Sequence, residues 1–228
     1  MIPRPTNPLI VALDVSDLDR ARELVEALTP HAAMLKVGLE LFWACGPRGV
    51  SEVARQAPVF VDCKLHDIPN TVERAAANVA RLGVSMFNVH ALGGEGMMRA
   101  AMDGARRGAD EAGVPMPRIL GVTVLSSHAG EGLASPASLA FEAQAAGLDG
   151  VVVSGEDVRD VREVLGEQAC LVVPGIRPSG TNGDDQVRVL TPAEALERGA
   201  DYLVVGRPII DAPDPVGVAR GIALQAGP

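Results

Sequence analysis

Lysine is almost missing from this chain. Of its 20 basic residues, 18 are arginine, and the only two lysines are Lys36 and Lys64. Where nearly every cation is a guanidinium, a remaining ammonium raises the question of whether its position needs a compact charge that can give up a proton. Aromatic residues are also scarce, with four Phe, one Tyr and one Trp in 228 residues. Acidic residues outnumber basic ones by 29 to 20, a formal net charge of −9. This balance argues against a nucleic-acid binder, which needs a basic face and stacking groups. Any anionic ligand must then be held by a local positive site. No uninterrupted apolar run approaches the roughly 20 residues of a membrane span. The opening residues MIPRPTNP lack the apolar core of a secretory leader. Three cysteines, Cys45, Cys63 and Cys170, cannot all pair with one another. Together these absences lead us to expect a cytoplasmic protein.

What is present is an alternation. Short Val/Ile/Leu-rich runs, predicted as strands, cover Leu9 to Leu13, Met34 to Val37, Val59 to Cys63, Ser85 to Val89, Ile119 to Val124, Gly150 to Val153, Cys170 to Val173 and Tyr202 to Val205. Between them the helical period predicts helices over Asp17 to Leu28, Thr71 to Leu82, Gly96 to Ala112, Ser135 to Ala146, Asp157 to Leu165 and Thr191 to Arg198. Val216 to Leu224 closes the chain as a further helix. Ser16, Ser135 and the Thr191-Pro192 pair supply cap chemistry. Eight β/α units in a chain of this length predict an α/β fold, a closed (β/α)8 TIM barrel formed as a single domain over residues 1–228. The alternative is an open doubly wound sheet, which the lack of a G-x-G-x-x-G motif after the first strand disfavours.

Strands of a parallel barrel are buried on both faces, so charges within or just after them point to a site at the C-terminal mouth. Asp14 ends the first strand, Lys36 lies in the second, and the third runs into Asp62-Cys63-Lys64 before a turn bearing Asp67. Side chains alternate along a strand, which predicts that Asp62 and Lys64 face the same interior and Cys63 faces away as packing. Each charge alone reads as a structural ion pair, but the cluster of five, including both lysines, reads as a site. A lysine among carboxylates stays an ammonium, suited to donate a proton and stabilise negative charge, and unsuited to Schiff-base chemistry.

A second group lies late in the chain. Pro174-Gly175-Ile176-Arg177 leaves the seventh strand for a polar loop running to Gln186, and Gly206-Arg207 ends the eighth strand. Loops after strands seven and eight of such barrels often hold phosphate, so a phosphorylated substrate is expected. The histidines His31, His66, His90 and His128 are scattered with no metal-ligand spacing. His90 is placed near the mouth, with structural support as its alternative role. Phe42 and Trp43 are predicted to pack under the second β/α connection, and Ser126 or Ser127 to reach a ligand after the fifth strand.

The string Asp62-Cys-Lys64-Leu-His-Asp67-Ile-Pro-Asn-Thr71 resembles the Asp-x-Lys-x-x-Asp signature of the orotidine 5′-phosphate decarboxylase family. The likeness runs along nearly the whole chain, through Leu-Asp14, Leu-Lys36-Val-Gly, Val-Thr123-Val-Leu-Ser-Ser, Pro174-Gly-Ile-Arg177-Pro, Asp-Gln186 and Val-Gly206-Arg207-Pro-Ile. It implies a homodimer that converts orotidine 5′-monophosphate into uridine 5′-monophosphate and CO2, the last step of de novo UMP biosynthesis, with no metal or organic cofactor. By the same resemblance Lys64 is the proton donor to C6 and Asp62 lies beside the substrate carboxylate. Lys36 and Asp67 complete an alternating charge network, Asp67 by reaching into the neighbouring subunit's site. Asp14 and Lys36 contact the ribose, Thr71 the nucleotide across the interface, and Thr123 and Ser126 or Ser127 the nucleoside. Pro174, Arg177, Gln186, Gly206 and Arg207 form the phosphate end, with the Arg177 to Gln186 loop as lid. Relatives that share the signature but use magnesium, keto-gulonate 6-phosphate decarboxylase and hexulose phosphate synthase, typically place Glu where this chain has Lys36. A phosphate-ligand binding protein without turnover is the alternative from another class.

Overall fold

Eight parallel strands close on themselves in chain order: β1 (Leu9–Ala12), β2 (Met34–Val37), β3 (Val59–Leu65), β4 (Met86–His90), β5 (Arg118–Val122), β6 (Gly150–Val152), β7 (Cys170–Pro174) and β8 (Tyr202–Val205). The last pairs with the first, in the register Leu9 to Leu203 and Val11 to Val205. The computed structural model describes residues 5–124, 134–177 and 190–225. Helices follow as α1 (Leu18–Leu28), α2 (Leu39–Ala54), α3 (Pro69–Ala80), α4 (Gly94–Ala112), α5 (Pro136–Ala145), α6 (Val158–Leu165), α7 (Pro192–Glu197), α8 (Arg207–Ile210) and α9 (Pro215–Gln225). The closed barrel is the predicted one, and the open sheet is excluded.

Alternation along each strand divides the apolar residues into two sets. One fills the barrel interior and includes Ile10, Ala12, Met34, Phe60, Met86, Leu120, Val172 and Val204. The other, including Leu9, Val11, Leu35, Val59, Phe87 and Val89, lies between barrel and helices. Fully burying a Phe or Met such as Phe60 or Met86 contributes about 1.5–3 kcal/mol.

Several helix boundaries follow the expected cap chemistry. Ser135 caps α5, and Thr191 with Glu194 forms a capping box on α7, with Pro192 at the first helical position. At α1 the cap is Asp17 rather than Ser16: the Asp17 carboxylate accepts the Asp19 amide, while the Ser16 hydroxyl donates to Glu40. Helix α2 was not expected. It kinks at Gly46-Pro47, with Gly46 at φ 61°, and helix continues on both sides. Trp43 is a further correction: it stands 80% exposed, edge-on to Phe42, instead of packing beneath the connection.

Strands β4, β6 and β8 share an entry device. Gly83, Gly147 and Gly199 each adopt positive φ after a helix, followed by a buried Val84, Leu148 or Ala200 and then a polar residue leading into β4, β6 or β8. In the latter two that residue is an aspartate which accepts the amide of the preceding strand: Asp149 from Ile119 and Asp201 from Leu171, both at 2.8 Å.

Asp201 also receives the buried Arg162 guanidinium at 2.7 Å. Arg162 further donates to the carbonyls of Gly199, Gly166 and Ala169 at 2.7–3.0 Å, tying α6 to the entries of β7 and β8. Arg162→Ala should therefore lower the unfolding free energy by about 3–5 kcal/mol, because the partners of a buried ion are left without it. Urea denaturation measures this as a midpoint shift at constant slope. A loss below about 1 kcal/mol would mean that water replaces the guanidinium without difficulty.

Candidate active site

Polar residues begin where the apolar filling of the barrel stops. Asp14, Lys36, Asp62 and Asn88 each lie two residues beyond an interior apolar side chain, namely Ala12, Met34, Phe60 and Met86. With a period of two, each continues the inward face of its strand toward the C-terminal mouth. There Asp14, Lys36 and Asp62 border a cavity of about 280 Å³, with Asn88 behind Asp62. Its wall includes Asp14, Lys36, Asp62 and Lys64 from the region of β1 to β3, and Pro174, Arg177, Gly206 and Arg207 from the ends of β7 and β8.

The first four form a chain of alternating charge. Lys36 Nζ is 3.1 Å from Asp14 Oδ1 and 3.4 Å from Asp62 Oδ2, and Lys64 Nζ is 2.7 Å from Asp62 Oδ1. Lys36 is buried, and Asp62 keeps only a small exposed fraction. Burial works to raise the Asp62 carboxyl. The neighbouring Lys36 and Lys64 charges, with hydrogen bonds from Lys64 and Asn88, prevail and hold it below the usual carboxylate range. Asp62 is thus an anion throughout the neutral range.

Asp62 and Lys64 do converge as expected, but simple alternation is not the reason. Between the pairs Val61–Phe87 and Leu65–Val89, four residues of β3 span two of β4, so the ladder is bulged. Lys64 sits at φ 48°, the sole non-glycine with positive φ among the described residues. A long side chain in that conformation is strained, and such residues concentrate at functional sites. Cys63 turns outward as predicted. Its thiol donates to the Asn88 carbonyl at 3.5 Å and is pushed by burial up to about 11, which suits packing and not nucleophilic chemistry.

Asn88 is a residue that the sequence reading missed. It is fully buried, its amide donates to Asp62 Oδ1 at 2.7 Å, and its carbonyl oxygen accepts the Lys64 backbone N–H at 2.7 Å. The signal was available: an amide side chain inside the apolar run Met86-Phe87-Asn88-Val89. Ser154, just after β6, also lines the cavity without having been anticipated.

Other expectations meet the structure unevenly. Thr123 does not line the cavity: Val122 and Val124 take the inward positions, and the Thr123 hydroxyl between them donates to the Val152 carbonyl at 3.2 Å. Asp67 and Thr71 are exposed at the entry to α3, outside their own chain's cavity, where Asp67 accepts the Ile68 amide. His90 is half-buried, its ring 5.3 Å from His66, and its enclosed Nδ1 has no hydrogen-bond partner among the described residues. Burial, then the His66 and Lys64 charges, lower its basicity against the opposing pull of Asp62.

After β7, Arg177 is buried, and its backbone amide donates to the Leu190 carbonyl at 3.0 Å. Gly206 leads into α8 close to Asp14, and a Cβ there would come within 3.3 Å of Asp14 Oδ2. Gln186, Ser126 and Ser127, with most of the expected lid, lie outside the described residues.

Residues 7–222 match the family model described as orotidine 5′-phosphate decarboxylase / HUMPS family. The chain belongs to this family. The orotidine 5′-phosphate decarboxylase of Moorella thermoacetica is 49% identical, covering 96% of this chain and 92% of that protein. That of Nitrosococcus oceani is 46% identical, covering 95% and 96%. The crystal structure of orotidine 5′-phosphate decarboxylase from Lactobacillus acidophilus superposes with a TM-score of 0.85 at 36% identity, covering 97% of this chain and all of the other. For this orotidine 5′-phosphate decarboxylase / HUMPS family member, the likeness spans the barrel and every described element of the cavity wall.

Proposed function

We propose that this chain decarboxylates orotidine 5′-monophosphate to uridine 5′-monophosphate and CO2, in the cytoplasm, as the last step of UMP synthesis. The observation that carries the reading is the Asp14–Lys36–Asp62–Lys64 charge chain lining one cavity together with two arginines, Arg177 and Arg207. An anionic nucleotide has two ends to be held. Arg177, Arg207 and the Gly206 turn suit its phosphate, with Pro174 shaping the wall and Gln186 assigned there by the family resemblance; Asp14 and Lys36 suit its ribose hydroxyls.

In the reaction the bond from C6 to the carboxylate breaks, CO2 leaves, and the electron pair stays on C6. No carbonyl is placed to delocalise that sp2 pair, so fixed positive charge in a water-poor site must stabilise it. Lys64 supplies the charge and then a proton to C6, ending as the neutral amine. Asp62 faces the departing carboxylate and orients the ammonium, and the repulsion between the two anions is relieved as CO2 leaves. Binding energy at the distant phosphate holds the ring in that geometry.

The same reading makes the catalytic unit a homodimer in which Asp67 and Thr71 enter the partner's site. Leu39, Trp43, Ile68 and Leu92 support it: all are exposed, and all follow the C-terminal ends of three neighbouring strands, β2, β3 and β4. A cofactor-independent reaction is supported by Lys36, whose ammonium occupies the space between Asp14 and Asp62 where two carboxylates could otherwise ligate a cation.

Purified protein in excess EDTA should deplete the orotidylate absorbance and release CO2. Turnover that appears only after magnesium is added would instead favour the metal-dependent relatives. Nucleotide binding without turnover under either condition would leave a binding protein.

A further inference from the structure

Asn88 occupies the place where the β3–β4 ladder is interrupted. From Val61 to Leu65 the backbone of β3 cannot pair regularly with β4, and one buried side-chain amide substitutes for the missing rung. Its oxygen accepts a hydrogen bond from the Lys64 N–H and its nitrogen donates one to Asp62 Oδ1, each at 2.7 Å, while its main-chain carbonyl accepts one from the Cys63 thiol. The orientation of the amide is fixed by these partners: reversed, its NH2 would face an N–H and its oxygen a carboxylate. Aspartate has no donor when ionised, leucine has neither group, and glutamine is one methylene too long.

Resting on the decarboxylase reading above, we propose that Asn88 is a positioning residue for that reaction, its two-ended amide holding Lys64 in the left-handed conformation while aiming Asp62 at the Lys64 ammonium. Strain at Lys64 persists only while its surroundings over-determine it, and Asn88 is the contact that does so. Loss of either end misplaces both members of the pair at once. A misplacement of about 1 Å at a reacting group costs about a hundredfold in rate.

Two substitutions separate positioning from mere packing. Asn88→Asp nearly conserves shape but sets a second carboxyl against Asp62. Two carboxyls that close share a proton, so one of them ionises only at raised pH. While protonated, the new carboxyl can donate to Asp62 as the amide did. The ratio of Asn88→Asp turnover to wild-type turnover should therefore rise by about tenfold or more as pH falls from about 8 to about 5.5. Groups facing position 88 are Asp62, Cys63 and Lys64 on β3, with Lys36 beyond Asp62, and His90, paired with His66, on its own strand; from β5 its register partner is the apolar Leu120. All are present in wild type and variant, so the ratio reads what the substitution adds, the new carboxyl and its coupling to Asp62. Asn88→Leu has no proton to supply, and its turnover should be down by about a hundredfold at every pH, with uridine 5′-monophosphate binding within about threefold of wild type. Crystal structures of both variants give a readout independent of turnover: in Asn88→Leu, Lys64 should leave positive φ or its Nζ should part from Asp62. A flat ratio for Asn88→Asp, or unchanged Lys64 geometry in Asn88→Leu, would overturn the proposal. Wild-type protein without turnover would instead overturn the decarboxylase reading, leaving the crystallographic comparison to decide the positioning role.

Discussion

Lys64→Ala is expected to lose about ten-thousandfold or more in turnover, because in the proposed mechanism it removes both the general acid and the fixed charge that stabilises the C6 electron pair. Binding of uridine 5′-monophosphate should change far less, since Arg177 and Arg207, the proposed phosphate contacts, remain in the cavity wall and Lys36 still holds Asp62 at 3.4 Å. A loss in kcat with KM nearly unchanged is the pattern of an interaction made mainly in the transition state. Lys64→Arg divides the two contributions. It keeps a cation beside Asp62, but a guanidinium does not release its proton in a protein. Its rate should therefore stay far below wild type, and recovery to within about tenfold would assign the effect of Lys64 to charge alone. Retention of most of the rate in Lys64→Ala would remove Lys64 from the donor role.

The second large effect is a recovery. If the proposed homodimer shares its sites, Asp67→Asn and Lys64→Ala are each expected to be nearly inactive, for reasons that reside in different subunits of one site. Mixed and allowed to exchange, they form hybrid dimers. In a hybrid, one site combines the intact Lys64 of one chain with the intact Asp67 of the other, and the second site carries both defects. Statistical exchange should return about a quarter of wild-type activity, as twofold symmetry requires. If subunit exchange is demonstrated and activity stays at the level of the separate variants, the shared site is wrong. The placement of Asp67, exposed and away from its own cavity although three residues beyond Lys64, is what makes this result expected.

Much of this was legible in order of residues alone. Strand positions follow from apolar runs bounded by turn chemistry, and β2 and β8 begin and end at the predicted residues. Lys36 stood out because arginine supplies nearly every other cation, and Asp62, Lys64 and Asp67 because three charges at a buried strand's end have no bland explanation as a group. Where the reading failed, a longer-range interaction had overridden a local rule. Helix α2 was given no range in the sequence reading; the packing of Leu41, Val50 and Val53 holds helix on both sides of its Gly46-Pro47 kink. Thr123 was placed at the cavity by motif, yet strand alternation gives the wall to Val122 and Val124.

By itself the sequence determined which residue types this protein commits to its barrel mouth, and the order in which strands deliver them, because burial tolerates charge only where a site uses it. Only the tertiary structure decided how those residues meet. Asp62 and Lys64 face each other through a bulge and a left-handed lysine that period-two alternation does not contain, and both are held by Asn88, a neighbour 24 residues away from Lys64 along the chain. A hydrogen-bonding group on an adjacent strand becomes local only when the barrel closes.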